Sequence, residues 1–242
     1  MNESIRRHLS RHYDEKFARQ SGPPPEVLIR RYPRDRFEAA VRWAGTGERL
    51  LEIGAGSGNI VKVLRTKYKE CVATEISSPR VFALRTNFTD DPKVQILPHN
   101  IESENLPFPA EYFDTILLID VIEHLIDPIP ALIEIYRVLK HGGKLLVHTP
   151  NVAKWTRRAK LLFGYFPSTA SMDEGLAQYK GKGRTNLYDE GHLHYFTYRS
   201  LSRLLVERAG FSKIIRHGYG RYGPLCAIWS TMMSDILVTA IK

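Results

Sequence analysis

The sequence predicts an α/β fold in which a mostly parallel, doubly wound sheet carries helices on both faces. From residue 48 onwards, short apolar stretches alternate with segments of helical periodicity. A glycine-rich turn follows the first of these stretches, and a later one, FDTILLID, has almost no polar alternation, as in strands covered on both faces. The chain has 242 residues, 43% of them hydrophobic, which is enough for one large domain with an appended cap.

The segment before the first strand has the character of a helical cap. Residues 1–20 resemble a polar helix, and the triple proline that follows cannot continue it. RDRFEAAVRWA then spaces its apolar residues for a second, short helix that ends at Gly45. We therefore predict a cap over residues 1–47 and a main domain over residues 48–242.

Seven strands are predicted in the main domain. Five of them alternate with helices: RLLEIG, ECVATEIS, KVQILPHN, FDTILLID and GKLLVHTPN. The intervening helices include NIVKVLRTKY, SPRVFALRTNF and DPIPALIEIYRVLKHGG, the last stopped by two glycines. A further helix, TYRSLSRLLVERAGF, has Thr197 or Ser200 as its N-cap and ends at Gly210. The closing strands KIIRHG and DILVTAIK are separated by a short apolar segment, PLCAIWSTMM.

Residues 151–191 interrupt the alternation of strands and helices. They begin with the basic, aromatic stretch NVAKWTRRAKLLFGYF and continue into a stretch rich in Gly, Ser and Lys without periodicity. A loop of this length inside a compact domain is typical of a lid or a disordered insert. The basic stretch fits a lid that grips an anionic substrate, a helix at a membrane interface, or a solvated amphipathic helix.

The charge and cysteine patterns narrow the setting. The net charge is +9, and the basic residues concentrate outside residues 49–150. Basic flanks suit an anionic small molecule, peripheral contact with an anionic membrane, or nucleic acid, and equally a solvated surface. No apolar stretch approaches a membrane span, and the first residues lack a secretion signal. Cys71 and Cys226 have no metal-binding or redox spacing, so we expect a reducing, cytoplasmic location.

The glycine-rich turn predicts a ligand site. Gly54, Gly56 and Gly58 follow the first strand and precede a helix, where open parallel sheets bind ligands. The dinucleotide fingerprint fails because its sixth position is Asn59, and the phosphate-binding loop lacks its second glycine and lysine. Glu52 stands two residues before the first glycine, where it would repel a pyrophosphate and attract a cation. A cationic cofactor that carries a nucleoside fits this turn best.

EIGAGSG resembles the first motif of class I S-adenosylmethionine-dependent methyltransferases, and later segments resemble the following motifs in order. The resemblance implies a Rossmann-like, seven-stranded fold with an N-terminal helical extension. It also implies that Glu75, 21 residues after Gly54, accepts hydrogen bonds from both ribose hydroxyls. In HNIESENLPFP, Asn100 stands where the family usually has Asp. The implied cofactor-binding residues are Glu52, Gly54, Gly56, Gly58, Glu75, Ile76, Asn100, Ile101 and Asp120.

Within this family, the chain is most similar to the small-molecule branch that includes ubiquinone and menaquinone biosynthesis enzymes, and to MetW-like relatives. We therefore expect transfer of a methyl group to an oxygen atom of a small-molecule acceptor. In one interpretation of the basic residues, this acceptor is an anion. An RNA-modifying methyltransferase is the alternative, but DVIEH replaces the Asn/Asp-Pro-Pro-aromatic tetrapeptide of amino-methylating enzymes. A non-catalytic accessory protein that keeps the cofactor pocket is a further alternative. Oligomeric state stays open.

Histidines are the candidate catalytic bases, since the pKa of imidazole suits neutral pH. His124 follows the fourth strand, and His192 and His194 alternate on an extended segment after the insert. Structural roles for all three are equally open. The trio Asp120, Glu123 and His124 resembles the acidic-x-x-Glu-His group that binds a divalent cation in ubiquinone O-methyltransferases, which have Glu at the first position. With the two later histidines it would suit a first-row metal, so the metal requirement is left undecided.

Overall fold

The computed structural model describes Asp14, residues 26–169 and residues 191–242, and its strands form one sheet. The strands are β1 (Gly47–Ile53), β2 (Tyr68–Glu75), β3 (Val94–Pro98), β4 (Phe113–Ile119), β5 (Leu139–Thr149), β6 (Lys213–His217) and β7 (Ile236–Ile241). Their order is β3-β2-β1-β4-β5-β7-β6, with β7 antiparallel to both of its neighbours and the other pairs parallel. The predicted seven-stranded, mostly parallel, doubly wound sheet is confirmed.

Helices cover both faces of this sheet. In the described residues they are α1 (Arg36–Ala44), α2 (Asn59–Leu64), α3 (Ser78–Asn87), α4 (Pro128–Val138), α5 (Trp155–Leu162), α6 (Tyr198–Arg203), α7 (Pro224–Ile228) and α8 (Ser230–Met233). A 3-10 turn over Ile122–His124 lies between β4 and α4, and a π-helical turn over Leu204–Arg208 continues α6. The π-helical turn departs from the regular helix predicted for this segment.

Two apolar cores form because neighbouring residues of each central strand point to opposite faces. On one face, Leu51 of β1 and Leu118 of β4 share a core with Leu132 of α4. On the other face, Leu50 and Leu117 share a core with buried residues of α1, α2 and α3. Burial on both faces explains why these strands are continuously apolar in the sequence. Polar residues begin where this burial stops, at the strand ends, and the parallel strands bring these ends to one edge of the sheet.

Helix starts follow the capping signals in the sequence. The side chain of Asp35 accepts hydrogen bonds from the first amides of α1, at 2.9 and 3.0 Å. Thr197 and Ser200 are both used at the start of α6, where they form a reciprocal capping box. The two alternatives predicted for that N-cap are therefore parts of one motif.

The end of α4 differs from the prediction. The two glycines were expected to stop the helix, but it ends at Val138 and β5 runs through them. Leu139 is already extended, and Gly142 adopts a positive φ of 73° that admits an irregularity in the pairing of β4 with β5. The glycines therefore serve the strand entry and not the helix end.

Two other predictions, the N-terminal cap and the insert, fall partly outside the described residues. The polar helix over 1–20 is described only at Asp14, so the cap over 1–47 and its boundary stay a prediction. The insert is described over 151–169 and at its last residue, and these residues contain α5. The apolar segment between the closing strands forms the short helices α7 and α8.

Candidate functional site

A cavity of about 400 Å³ opens at the carboxyl ends of the strands, where the sheet order changes direction between β1 and β4. The four strands on this side of the sheet supply its walls through the loops that follow them. The cavity is lined by these predicted cofactor residues: Glu52, Gly54, Gly56, Glu75, Ile76, Asn100, Ile101 and Asp120. His124 also lines it, so the topology brings together residues that are up to 72 positions apart, from Glu52 to His124.

The glycine turn is shaped by two close approaches. Gly54 has a φ of 72°, and a Cβ there would lie 2.5 Å from Cγ2 of Val121 in the β4 loop. Gly56 has a φ of 58° and faces the cavity. Gly58 does not line the cavity: a Cβ at this position would lie 2.6 Å from the ring of Phe88. This glycine therefore allows α2 to approach α3 closely, and its predicted place at the cofactor stays a prediction.

Glu75 is buried at the tip of β2 and organises the turn through three backbone amides. Its Oε2 accepts a hydrogen bond from the Gly56 amide at 2.9 Å. Its Oε1 accepts from the amides of Ile76 and Ser77, at 2.9 and 3.0 Å. A carboxylate oxygen has two lone pairs, so one oxygen is already saturated and the other keeps one free. Sequence reasoning placed both ribose hydroxyls on Glu75 and missed these amides.

Glu52 is fully enclosed at the end of β1, and no described atom donates a hydrogen bond to its Oε2. Burial raises the pKa of Glu52 to about 8, and the nearby negative charge of Glu75 adds to this effect. At neutral pH the Glu52 side chain is therefore protonated as long as no cation is bound in the cavity. An unsatisfied buried oxygen that faces a ligand cavity is what a cationic group would complete.

A cation at Glu52 should drive the proton off this side chain. We expect S-adenosylmethionine binding at pH 7 to release up to one proton, and the affinity to rise as the pH approaches about 8. Calorimetry in two buffers of different ionisation enthalpy measures the release. Glu52→Gln should abolish it, whereas Glu70→Gln, at an exposed position of β2, should keep it. Equal proton release in wild type and Glu52→Gln would show that Glu52 does not meet the cation.

The far end of the cavity is formed by the residues after β3. Ile101 is buried and joins the core beside the cavity wall, as the predicted contact with the adenine ring requires. The Oδ1 of Asn100 accepts a hydrogen bond from the Glu102 amide at 3.0 Å. One lone pair of that oxygen and the amide donors thus remain for a ligand. The assignment of adenine to this end stays a prediction.

Asp120 stands between the cavity and a buried chain of hydrogen bonds. One carboxylate oxygen of Asp120 contacts Nδ1 of His148, and Nε2 of His148 lies 2.5 Å from the Tyr219 hydroxyl. The other carboxylate oxygen of Asp120 lies 2.5 Å from Nε of Arg36. Burial alone would raise the pKa of Asp120, but His148 and Arg36 hold it below its usual value. Asp120 also has a positive φ of 54°, which a residue with a side chain adopts only when its surroundings fix it.

Glu123, His124 and His192 form a second cluster beside Asp120. Nδ1 of His124 lies 2.7 Å from the Gly191 carbonyl oxygen, which can only accept, so this nitrogen carries the proton. The rings of His124 and His192 meet edge to face with their centroids 4.7 Å apart. Burial and the negative charge of Asp120 raise the pKa of Glu123 well above its usual value. The pKa values of these two neighbouring acids are therefore shifted in opposite directions.

Part of the predicted metal set is brought together here. One ligand atom from each of Glu123, His124 and His192 lies within 4.8 Å of the other two, a donor set that suits a first-row metal. Neither carboxylate oxygen of Glu123 has a hydrogen-bond partner among the described residues. His194 is not part of this group: its Nε2 lies 3.3 Å from the Ile126 carbonyl, and its catalytic role stays a prediction.

The basic stretch after β5 begins as a structural element. Arg157 and Lys154 both pair with Asp235, at 2.5 and 3.0 Å, so these two cations do not hold a substrate. The end of α5 exposes apolar side chains, with Leu162 81% and Phe163 74% accessible. Among the described residues, no helix has both the length and the apolar character needed to cross a membrane. Peripheral contact with a lipid surface stays a prediction.

The chain is similar to known methyltransferases. A family model described as a methyltransferase domain matches residues 10–215. A ubiquinone/menaquinone biosynthesis C-methyltransferase of Vibrio parahaemolyticus is 31% identical over 46% of this chain and 45% of its own length. A demethylmenaquinone methyltransferase of Clavibacter sepedonicus is 28% identical over 42% of this chain and 40% of its own. The chain thus spans less than half the length of these relatives.

A solved structure agrees with the fold. The SAM-dependent methyltransferase from Archaeoglobus fulgidus has a TM-score of 0.58 with 13% identity, and the match covers 86% of this chain and 91% of that one. At this identity the likeness concerns the fold alone. The family match spans β1 to β5, the glycine turn and the cavity, and it confirms the predicted class, S-adenosylmethionine-dependent methyltransferase. The chain belongs to the methyltransferase-domain family.

Proposed function

We propose that this chain transfers a methyl group from S-adenosylmethionine to an oxygen atom of a small-molecule acceptor. The observation that carries the proposal is one cavity whose wall holds an unsatisfied buried acid, Glu52, opposite a histidine, His124. The acid suits the cationic end of the methyl donor, and the histidine suits an acceptor that must lose a proton. Both residues line this cavity.

The cavity fits the methyl donor in size and chemistry. Its volume of about 400 Å³ lies within the range of small-molecule sites. In this proposal Glu52 faces the cationic end, Glu75 the ribose, and Ile101 the adenine ring. S-adenosylmethionine supplies an electrophilic methyl carbon, which the acceptor attacks in line. The chain then has to hold the acceptor close to that carbon, exclude water and accept a proton.

His124 is the proposed base for the acceptor proton. The Gly191 carbonyl fixes the ring through Nδ1, and the ring lines the cavity that the acceptor would enter. His192 packs against this ring and shares a hydrogen bond of 2.7 Å with the Thr169 hydroxyl. We therefore propose that His192 orients His124. His194, which contacts the main chain at Ile126, supports the segment.

Carbon as the accepting atom is the second candidate. The two relatives above are named for quinone biosynthesis, one of them as a C-methyltransferase, and the chain matches each over less than half of its length. A carbon acceptor would use the same cavity and the same donor site. An anionic acceptor, a cytoplasmic location and the oligomeric state stay predictions; both cysteines are buried and free, which suits a reducing compartment.

The proposal is tested by looking for the demethylated donor. The protein is incubated with S-adenosylmethionine and either the small-molecule fraction of a cell extract or total tRNA. S-adenosylhomocysteine is then measured, and an isotope-labelled methyl group identifies the accepting atom by NMR. We expect turnover with the small-molecule fraction and an O-methyl product. A C-methyl product would move the assignment to the second candidate. Turnover only with tRNA, or donor binding without turnover, would favour the RNA-modifying or the accessory alternative.

A further inference from the structure

A second cleft, of about 290 Å³, lies between the segment before α1 and the loop after β6. Four arginines line it: Arg30, Arg31 and Arg34 from the first wall, and Arg221 from the second. No acidic residue is among its lining residues. We call this cleft, defined by the four arginines, the arginine cleft. It is separate from the cofactor cavity, with which it shares no lining residue.

Most of the positive charge in the arginine cleft has no counter-charge among the described residues. Arg30 pairs with Glu38, which is buried under it. For Arg31, Arg34 and Arg221, no carboxylate of the described residues lies within ion-pair distance. The nearest acid along the chain, Asp35, uses its Oδ1 to cap α1. Guanidinium groups that converge without a counter-charge repel one another, and an anion between them removes that cost.

The two walls of the cleft are tied together. The amide of Gly220 donates a hydrogen bond to the Pro33 carbonyl at 2.9 Å. Gly223 has a φ of 51°, and a Cβ there would lie only 4.0 Å from the side chain of Tyr32 on the opposite wall. The guanidinium of Arg31 lies 5.6 Å from the centre of the Tyr32 ring. These contacts bring together Arg30 and Arg221, which are almost 200 positions apart in the sequence.

Both walls also lead into the cofactor site. Arg36, which pairs with Asp120 and lines the cofactor cavity, follows Arg34 by two residues, a reach of about 7 Å along the chain. Tyr219, which ends the hydrogen-bond chain from Asp120, immediately precedes Gly220. A ligand held in the arginine cleft would therefore lie beside the cavity in which the methyl donor is proposed to bind.

We propose that the arginine cleft binds a phosphate or diphosphate group of a small molecule. Guanidinium groups bind phosphate oxygens in pairs of parallel hydrogen bonds, and three unpaired arginines exceed what one carboxylate can use. The volume of this open cleft suits one or two phosphates, whereas a polynucleotide needs a continuous basic track. Because the cleft lies beside the cofactor cavity, its ligand is best identified as the methyl acceptor. Only this identification rests on the proposed function.

The test is calorimetric titration of the full-length protein with sodium pyrophosphate. We expect Arg31→Ser/Arg34→Ser and Arg221→Ser to weaken binding about tenfold or more. The matched control is Arg85→Ser/Arg199→Ser, which removes the same charge as the double variant from exposed helix positions and should bind like wild type. All the arginines replaced in these variants are exposed residues, and thermal melting checks that each variant folds.

Several results would overturn the inference. Absence of pyrophosphate binding, equal weakening in cleft and control variants, or acetate binding as tightly as pyrophosphate would each do so. Tighter binding of tRNA with a steep loss at higher salt would indicate a polyanion surface instead. A titration of the same samples with S-adenosylmethionine tests the proposed function separately. If the donor binds and pyrophosphate does not, only the cleft assignment fails; the reverse result leaves the cleft and removes the methyltransferase proposal.

Discussion

Glu75→Ala should weaken S-adenosylmethionine binding at least tenfold, which is about 1.4 kcal/mol or more. The substitution removes the acceptor proposed for the ribose and also the carboxylate that receives the amides of Gly56, Ile76 and Ser77. Loss of three charge-assisted hydrogen bonds should let the glycine turn change shape, so the methionine end of the site is affected as well. Calorimetry with the purified variant measures the affinity directly.

The matched control for this substitution is Glu70→Ala, on the same strand but exposed at its other end. It should bind the donor like wild type. Glu75→Gln separates charge from shape, since its amide nitrogen would face the Gly56 amide where an acceptor is needed. We expect glutamine to lose nearly as much affinity as alanine. An unchanged affinity of Glu75→Ala in a folded variant would refute the placement of the donor.

His124→Asn should lower turnover about 100-fold or more while the affinity for the donor stays within about twofold of wild type, as expected when a general base is lost. His192→Ala should lower turnover less, because His192 only packs against the His124 ring. His194→Ala serves as the comparison, since it contacts the main chain at Ile126 outside the cluster. Initial rates with an excess of donor separate these effects from binding.

A metal at the same cluster makes a different prediction. If Glu123, His124 and His192 act by holding a divalent ion, a chelator should abolish turnover and a first-row metal should restore it. If His124 acts as a base, chelation should leave the rate unchanged. Full activity of His124→Asn would exclude both roles and return this histidine to a structural one.

The strands of the sheet were predictable because their signals are local. The apolar strands are buried on both faces, so each is visible in the sequence without knowledge of its neighbours. The glycine turn and the acids that flank it stand at strand ends, which parallel topology brings to one edge. The same logic located Glu52 and Glu75 in one cavity.

Contacts that depend on distant partners were not predictable in this way. His148 meets Asp120 across 28 residues and Tyr219 across 71, and no spacing in the sequence marks either pair. The amides that hold Glu75 belong to the main chain, so residue identity cannot reveal them. Gly58 fits the glycine motif and also allows α2 to approach α3 closely. A glycine can meet either requirement, so the motif alone does not reveal the packing contact.

Titration of the purified protein with S-adenosylmethionine tests the central assignment most directly. We predict one binding site per chain, competition by S-adenosylhomocysteine and no displacement by NADH, because Glu52 and the glycine turn favour a cation over a pyrophosphate. Absence of binding, or displacement of the donor by NADH at lower concentration than by S-adenosylhomocysteine, would contradict it.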